Sequence, residues 1–400
     1  MNHLEFYLFI TLLLTISLLF EREKRWLWRQ ILDLKMTLNQ TYPLNKQETL
    51  LTPHFENLHT AKTIFVLKLD HIGDMILTIP ALQALRKNLP NAHITLACGP
   101  WGKELLEQEK LIDTFIITSI PNKSLPTKEK KIETNRLKKR LQENSYDIAF
   151  DLRHYGDTQH WFKWVNAPVK IGTKSAHTPS NIKLTFSTIP PHEKHMTEKI
   201  THIVECMGLS PKSYAPSLTL SEQEKTQAHL FFNQKNWDPT KCIGLHPYAN
   251  ATTRDWGINN FIETANHLET LGYTCLFFIG NRADEVTPKL KKNSTSKIHT
   301  ISNTTLRESA ALIQCCSLFI SNNSGPMHLA ASVQCPTLAI FSGTEISSEW
   351  GPYGPNHHTI AVDLPCIRCH KGHCWHKTCL ISIAPITITN QALKMLSNLT

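Results

Sequence analysis

The chain contains no stretch of twenty apolar residues. Its most continuously apolar run, "FYLFITLLLTISLLF" (6–20), has fifteen residues without a charge, where a membrane-spanning helix takes about 20. No Lys or Arg precedes that run and no small-residue cleavage site follows it, so a cleaved signal peptide is not expected. As a helix, Leu4 to Phe20 would reach roughly 26 Å. The flank "EREKRWLWRQ" supplies Arg22, Lys24, Arg25 and Arg29, which by the positive-inside rule leaves the rest of the chain on the cytoplasmic side. Trp26 and Trp28 would sit at the membrane interface. A membrane anchor is expected, with a helix packed on the protein as the alternative.

Other absences narrow the class. Basic motifs interleaved with aromatics at nucleic-acid spacing are missing, so no nucleic-acid partner is expected. The net charge of +9 still calls for something acidic, an anionic lipid or a phosphorylated ligand. A disulfide framework is missing too. The eleven Cys are an odd number, and Cys275, Cys315 and Cys316 lie in apolar runs, which suits buried thiols in a reducing compartment. Hydrophobic content of 41% with 19% charged residues excludes a disordered chain. Four hundred residues exceed what one core usually serves, so two domains are expected.

Short apolar runs alternating with helical periodicity begin at residue 63. "TIFVLKL" (63–69), "HITLAC" (93–98), "TFIITSI" (114–120), "YDIAFDL" (146–152) and "VKIG" (169–172) read as strands. Between the first two, Ala81, Leu82, Leu85 and Leu89 recur at helical spacing. The basic stretch "KEKKIETNRLKKR" (128–140) reads as a solvated helix face, and residues 193–236 as mainly helical with a break around "SPKSYAPS". A second series follows: "KCIGLHP" (241–247), "YTCLFFIG" (273–280), "KIHTIS" (297–302), "SLFIS" (317–321) and "TLAIF" (337–341). Strand–helix alternation twice over predicts an α/β protein with two parallel sheets. The expected division is 1–60, a hydrophobic anchor and tether; 61–236, an N-terminal Rossmann-like domain; and 237–400, a C-terminal one.

Ligands of such sheets bind beyond the carboxyl ends of the strands, and five polar clusters fall there: "DHIGD" (70–74), "DLRHYGD" (151–157), "HPYANATTRDW" (246–256), "GNRADE" (280–285) and "NNSGPMH" (322–328). In the last, Pro326 suits a first helical turn and Gly325 allows close approach of a ligand. That reads as a phosphate site at a helix start or as an ordinary capped turn. Asp74, after Gly73, reads either as a helix cap or as a carboxylate that takes a proton from a hydroxyl.

"KLDHIGDMILTIPALQALRKNLPNAHITLA", "NAPVKIG", "GLHPYANATTRDW", "SNNSGPMHLAASVQCPTLAIFSGT" and "EWGPYGP" follow one another in order. Together, over about residues 63 to 390, they closely resemble the heptosyltransferases of glycosyltransferase family 9. The resemblance implies a GT-B fold, two Rossmann-like domains facing across a cleft. It implies metal-independent, inverting transfer of heptose from ADP-heptose to a lipopolysaccharide inner-core acceptor, with no cofactor. Asp74 matches the family's general base. Ser324 and Gly325 match the turn that receives the donor diphosphate, with His328 lining the same pocket. Thr253 and Arg254 fall at a phosphate-binding basic position, and the Arg fork suits phosphate oxygens. Asp284 and Glu285 lie where the family places an acidic residue near the ribose, and Thr344 in a turn facing the nucleotide.

The family usually has Asp where this chain has Asn323. Asn keeps the shape but loses the charge, which leaves three readings: heptose transfer, transfer of another nucleotide-linked sugar, or a weakly active or non-catalytic nucleotide-sugar-binding relative. The expected partners are the donor, the glycolipid acceptor and the cytoplasmic face of the inner membrane. In "CIRCHKGHCWHKTC", Cys366, Cys369, Cys374 and Cys379 have the ligand count of a structural Zn²⁺ site. Reduced thiols or a disulfide are the alternative.

Overall fold

A computed structural model describes residues 58–398, apart from 121–124, 156, 175–181, 192, 281 and 294–298. The anchor and tether expected at 1–60 lie outside the described residues, except for a 3₁₀ turn at Leu58–Thr60. Among the described residues no helix is long and apolar enough to cross a membrane.

Strand β1 (Thr63–Lys68) is buried from its second residue on, the mark of a strand covered on both faces in a parallel sheet. It pairs in parallel with β2 (His93–Cys98) and β4 (Ile148–Asp151). With β3 (Thr114–Ile117), β5 (Val169–Thr173) and β6 (Phe186–Thr188) it forms a six-stranded sheet of order β3-β2-β1-β4-β5-β6. The second sheet repeats that plan. Strands β7 (Cys242–His246), β8 (Thr274–Gly280), β9 (His299–Ser302), β10 (Leu318–Asn322), β11 (Thr337–Phe341) and β12 (His357–Ala361) run β12-β11-β10-β7-β8-β9. Each sheet therefore reverses its strand order once, between β1 and β4 and between β7 and β10. Such reversals open a crevice at the strands' carboxyl ends.

Residues Phe55–Thr400 form one compact unit. A single apolar cluster joins the sheets, running from Ile64, Leu96 and Phe150 through Phe232 to Phe278, Phe319 and Leu329. Where one helix was expected after β1, there are two, Ile72–Ile76 and Ile79–Asn88. Pro80 lacks the N–H that would continue the first helix, and the Thr78 hydroxyl donates to the Asp74 carbonyl at 2.7 Å. The basic helix Thr127–Gln142 buries only Leu137 and Leu141, as its charge pattern implies.

Two strands escaped the sequence reading. Strand β6 has three residues, and β12 is half-exposed along its length. Both are sheet edges, where short or polar strands are the rule.

Candidate active site

Asp74 lies in the first turn of the helix Ile72–Ile76, whose N-cap is His71 without any side-chain cap bond. It is therefore not the cap. Its carboxyl is raised above the ordinary carboxylate range, chiefly by loss of solvent; Lys68 opposes the shift and Glu345 adds to it. A carboxyl so raised is better matched to proton abstraction near neutral pH.

Behind Asp74 lies a charged network at the β1/β4 crevice. The fully buried Lys68 ammonium donates to the Leu152 carbonyl at 2.9 Å and pairs with Asp70 at 2.9 Å. Burial brings it down to about 8. Arg153 pairs with Asp70 and Asp157, and the Thr158 hydroxyl donates to Asp151 at 2.8 Å. Burial holds Asp151 at about 7.

The β7/β10 crevice carries the other set. After β7, the turn Thr252–Arg254 buries Thr253 and leaves Arg254 half-buried. After β10, Ser324 is the N-cap of the helix Gly325–Ser332, and its hydroxyl caps no N–H of that helix. After β11, Thr344 is buried with its hydroxyl 2.8 Å from that of Ser342. Two residues tie these turns together: Asn322, which the sequence reading placed only within a polar cluster, and Glu345, which it did not single out. The Asn322 side-chain oxygen accepts from Trp256 N–H at 3.1 Å. The Glu345 carboxylate accepts from the Asn323 amide at 2.6 Å and from Arg254 at 3.3 Å. Neither link had a legible signal, because the partners lie 22 to 91 residues apart in sequence.

The two crevices meet at a pair of glycines. A Cβ on Gly73 would lie 2.8 Å from the His328 ring and 3.5 Å from the Gly325 Cα, and one on Gly325 would lie 3.2 Å from the Ile72 Cβ. Only glycine permits that approach. It sets the helix start bearing Asp74 directly against the helix start bearing Ser324 and Gly325. His328 is buried in this junction, and burial takes it down to about 3, so it is neutral. Asp284 is exposed in the first turn of the helix Ala283–Asn293. No contact described here joins it to Arg254 or Asn323. The side chain of Glu285 lies outside the described atoms.

The "EWGPYGP" turn bridges the two halves. His195 hydrogen-bonds the Gly351 carbonyl at 2.8 Å, Lys199 pairs with Glu349 at 3.4 Å, and Tyr353 packs edge-on against His195. Beside the turn after β11, Cys366, Cys369, Cys374 and Cys379 line one small cavity together with Thr253, Thr344, Lys371 and Lys377. Among the described residues no group of three or more His, Cys, Asp or Glu is placed to hold a metal ion. All four thiols are free.

Two Rossmann-type parallel sheets thus meet at their switch points, with a raised carboxyl on one side and an Arg and a helix start on the other, an arrangement that suits an enzyme acting on a phosphorylated ligand. Comparison with known proteins agrees. Residues 134–379 match glycosyltransferase family 9 (heptosyltransferase), more than half of the chain, and the chain belongs to that family. It is 25% identical over 294 residues to lipopolysaccharide heptosyltransferase 3 of Escherichia coli K12, covering 71% of this chain and 83% of that one. In fold it is similar to a family 9 glycosyl transferase from Veillonella parvula, with TM-score 0.68 and 23% identity over 84% of this chain and 97% of that one. It is likewise similar to the E. coli ADP-heptose lipopolysaccharide heptosyltransferase II, with TM-score 0.64 and 19% identity over 84% and 99%.

Proposed function

We propose that this enzyme transfers heptose, with inversion, from ADP-heptose to the inner core of lipopolysaccharide. The observation that carries the reading is the Gly73–Gly325 contact, which sets a proton acceptor against an anion-ready helix start. Asp74 takes the proton of the acceptor hydroxyl, whose oxygen attacks the anomeric carbon from the face opposite the diphosphate. The bond from that carbon to the diphosphate oxygen breaks, and ADP departs with the electron pair. Arg254, Ser324 and the backbone around Gly325 stabilise the charge that grows on it, which is where preorganised donors count most. Thr253 and Thr344 shape the same pocket, Asn323 faces it, and His328 backs it. Asp284 and Glu285 are assigned to the ribose. No metal takes part in any step.

The four Cys have the soft donor set of a structural Zn²⁺ site, although as placed their thiols share a cavity without closing into a ligand group. Cys366, Cys369, Cys374 and Cys379 would hold such an ion and brace the loop against Thr253 and Thr344. The setting we assign is the cytoplasmic face of the inner membrane, with 4–20 as anchor.

Asp74→Asn tests the reading. Transfer should fall by about 10²–10⁴-fold, the usual yield of a positioned base, with ADP affinity by calorimetry unchanged. Equal loss of both would remove Asp74 as base. In the wild type, turnover should fall as pH drops through an acid limb set above the ordinary carboxylate value of 3.8, because only the ionised form accepts a proton. A thermal-shift panel of ADP, UDP, GDP and CMP decides the donor. A ligand at 100 times its Kd adds about 2.7 kcal/mol, and selectivity for another nucleotide would move the enzyme to a different sugar. A non-catalytic relative is disfavoured by Glu345, which keeps a carboxylate beside Asn323.

A further inference from the structure

Beyond the catalytic crevice, one surface has a composition unlike the rest of the chain. From residue 364 onward there is no Asp or Glu, while Arg368, Lys371, Lys377 and Lys394 are present along with three His. Four large apolar side chains of the same stretch are exposed: Ile367 at 39%, Trp375 at 89%, Ile381 at 74% and Ile386 at 51%. Their neighbours explain why they point outward. Cys379 and Leu380 fill the core from the helix Thr378–Ile381, and Ile383 and Ile388 do so around the start of the helix Pro385–Ser397. That leaves Ile381 and Ile386 on the opposite side. A soluble surface rarely gathers such groups without a use for them.

The chemistry selects the partner. Trp is the side chain favoured at the boundary of headgroups and acyl chains, and a cationic face with apolar residues is the composition of a segment lying in a membrane interface. Each Lys or Arg near an anionic bilayer adds attraction, and here no acidic neighbour within the stretch cancels it. Arg368 is excluded from the count, since it pairs with Glu349 at 3.2 Å. The stretch is also held beside the donor turn: Cys369 N–H donates to the Gly343 carbonyl at 3.2 Å, next to Thr344.

We propose that the 366–386 segment is a docking surface for an anionic phospholipid bilayer, with Trp375 and Ile381 entering the headgroup region and the exposed Lys371, at the rim of the cavity beside Thr344, set on lipid phosphates. Docked this way, the crevice opens beside the membrane, where a lipid-linked acceptor would be met. The surface goes beyond the sugar-transfer reading. Its test uses lipid alone, so failure of either is told apart from failure of the other.

The experiment is hydrogen–deuterium exchange on the full chain, with vesicles of phosphatidylcholine alone or with phosphatidylglycerol added. Exchange is read segment by segment, so binding through residues 1–57 does not mask the result. With anionic vesicles, amides of 366–386 should exchange severalfold more slowly, and with neutral vesicles they should not. Trp375→Ala combined with Ile381→Ser should abolish that slowing while leaving the melting temperature unchanged, since both side chains are exposed. Unchanged exchange in 366–386 with anionic vesicles would overturn the proposal, whether or not the chain pellets with them. So would slowing that survives in the double variant. Slowing that tracks protein concentration without lipid would assign the surface to a second copy of the chain instead.

Discussion

At the scale of single residues, the informative position is Asn323. An Asp there would put two carboxylates within hydrogen-bond distance, because the Asn amide already donates to Glu345 at 2.6 Å. Two such groups cannot both stay ionised without cost. Glu345 instead supplies the carboxylate at this point, touching both Asn323 and Arg254. Asn323→Asp alone is therefore expected to lower kcat/KM by about tenfold at pH 8, a one-unit pKa shift between the paired carboxyls being worth about 1.4 kcal/mol. The loss should shrink at lower pH, where one of the pair is protonated. Combining it with Glu345→Gln, which exchanges acid and amide, should recover most of the activity. A gain from Asn323→Asp alone would show that the site is a decayed one and that Glu345 does not stand in for the missing charge.

At the scale of elements, two short helices bear Asp74 and Gly325, and what matters is how closely their starts approach. Neither is stabilised by a side-chain cap, so position comes from packing, with Ile72 against Gly325 and His328 beneath Gly73. Gly73→Ala puts a methyl 2.8 Å from the His328 ring, which is itself buried and cannot swing away. Overpacking of this kind costs about 1–3 kcal/mol in stability. Turnover should suffer more, by up to about 10²-fold, because a shift of about 1 Å between reacting groups is enough. Gly372→Ala, where an added methyl meets nothing within 4 Å, is the control and should alter neither denaturant midpoint nor rate.

At the scale of the whole molecule, the two sheets are clasped by Arg307. Its guanidinium donates to both oxygens of Glu224, at 2.6 and 2.9 Å, to Glu109 at 3.2 Å, and to the carbonyls of Leu105 and Thr219 at 2.9 and 2.7 Å. A helix after β9 is thereby fixed to the segment after β2 and to the chain that connects the sheets. Arg307→Met strips the partner from half-buried carboxylates, and losing a hydrogen bond to a charged group costs about 1.5–3 kcal/mol. Urea unfolding at pH 7 should show it. The Arg307 fork holds Glu224 down at about 2, so this stabilisation is complete above the ordinary Glu range. It fades as pH falls toward 2, and the gap between wild type and variant should narrow in that window. A constant gap would mean that lost packing, not the ion pair, is what was measured.

The sequence by itself determined the strands that run through the middle of each sheet. "TIFVLK" and "SLFIS" are apolar on both faces, and burial on both faces is what a central parallel strand demands. It also determined the turns that bear Asp74, Arg254 and Ser324, because glycine, proline and polar residues at strand ends have local physical reasons to be there. Edge strands β6 and β12 were not legible, since a partner strand and not their own composition makes them strands. Glu345, Asn322, Lys68 and Arg307 were not legible either. Each is an ordinary charged or polar residue until the fold brings its partner close, and a hydrogen bond between loops scores of residues apart leaves no mark in either local pattern. Only the tertiary structure decided that His328 sits in the seam between the halves and that two glycines from different sheets are neighbours, because close approach is a property of pairs, and a sequence displays its residues one at a time.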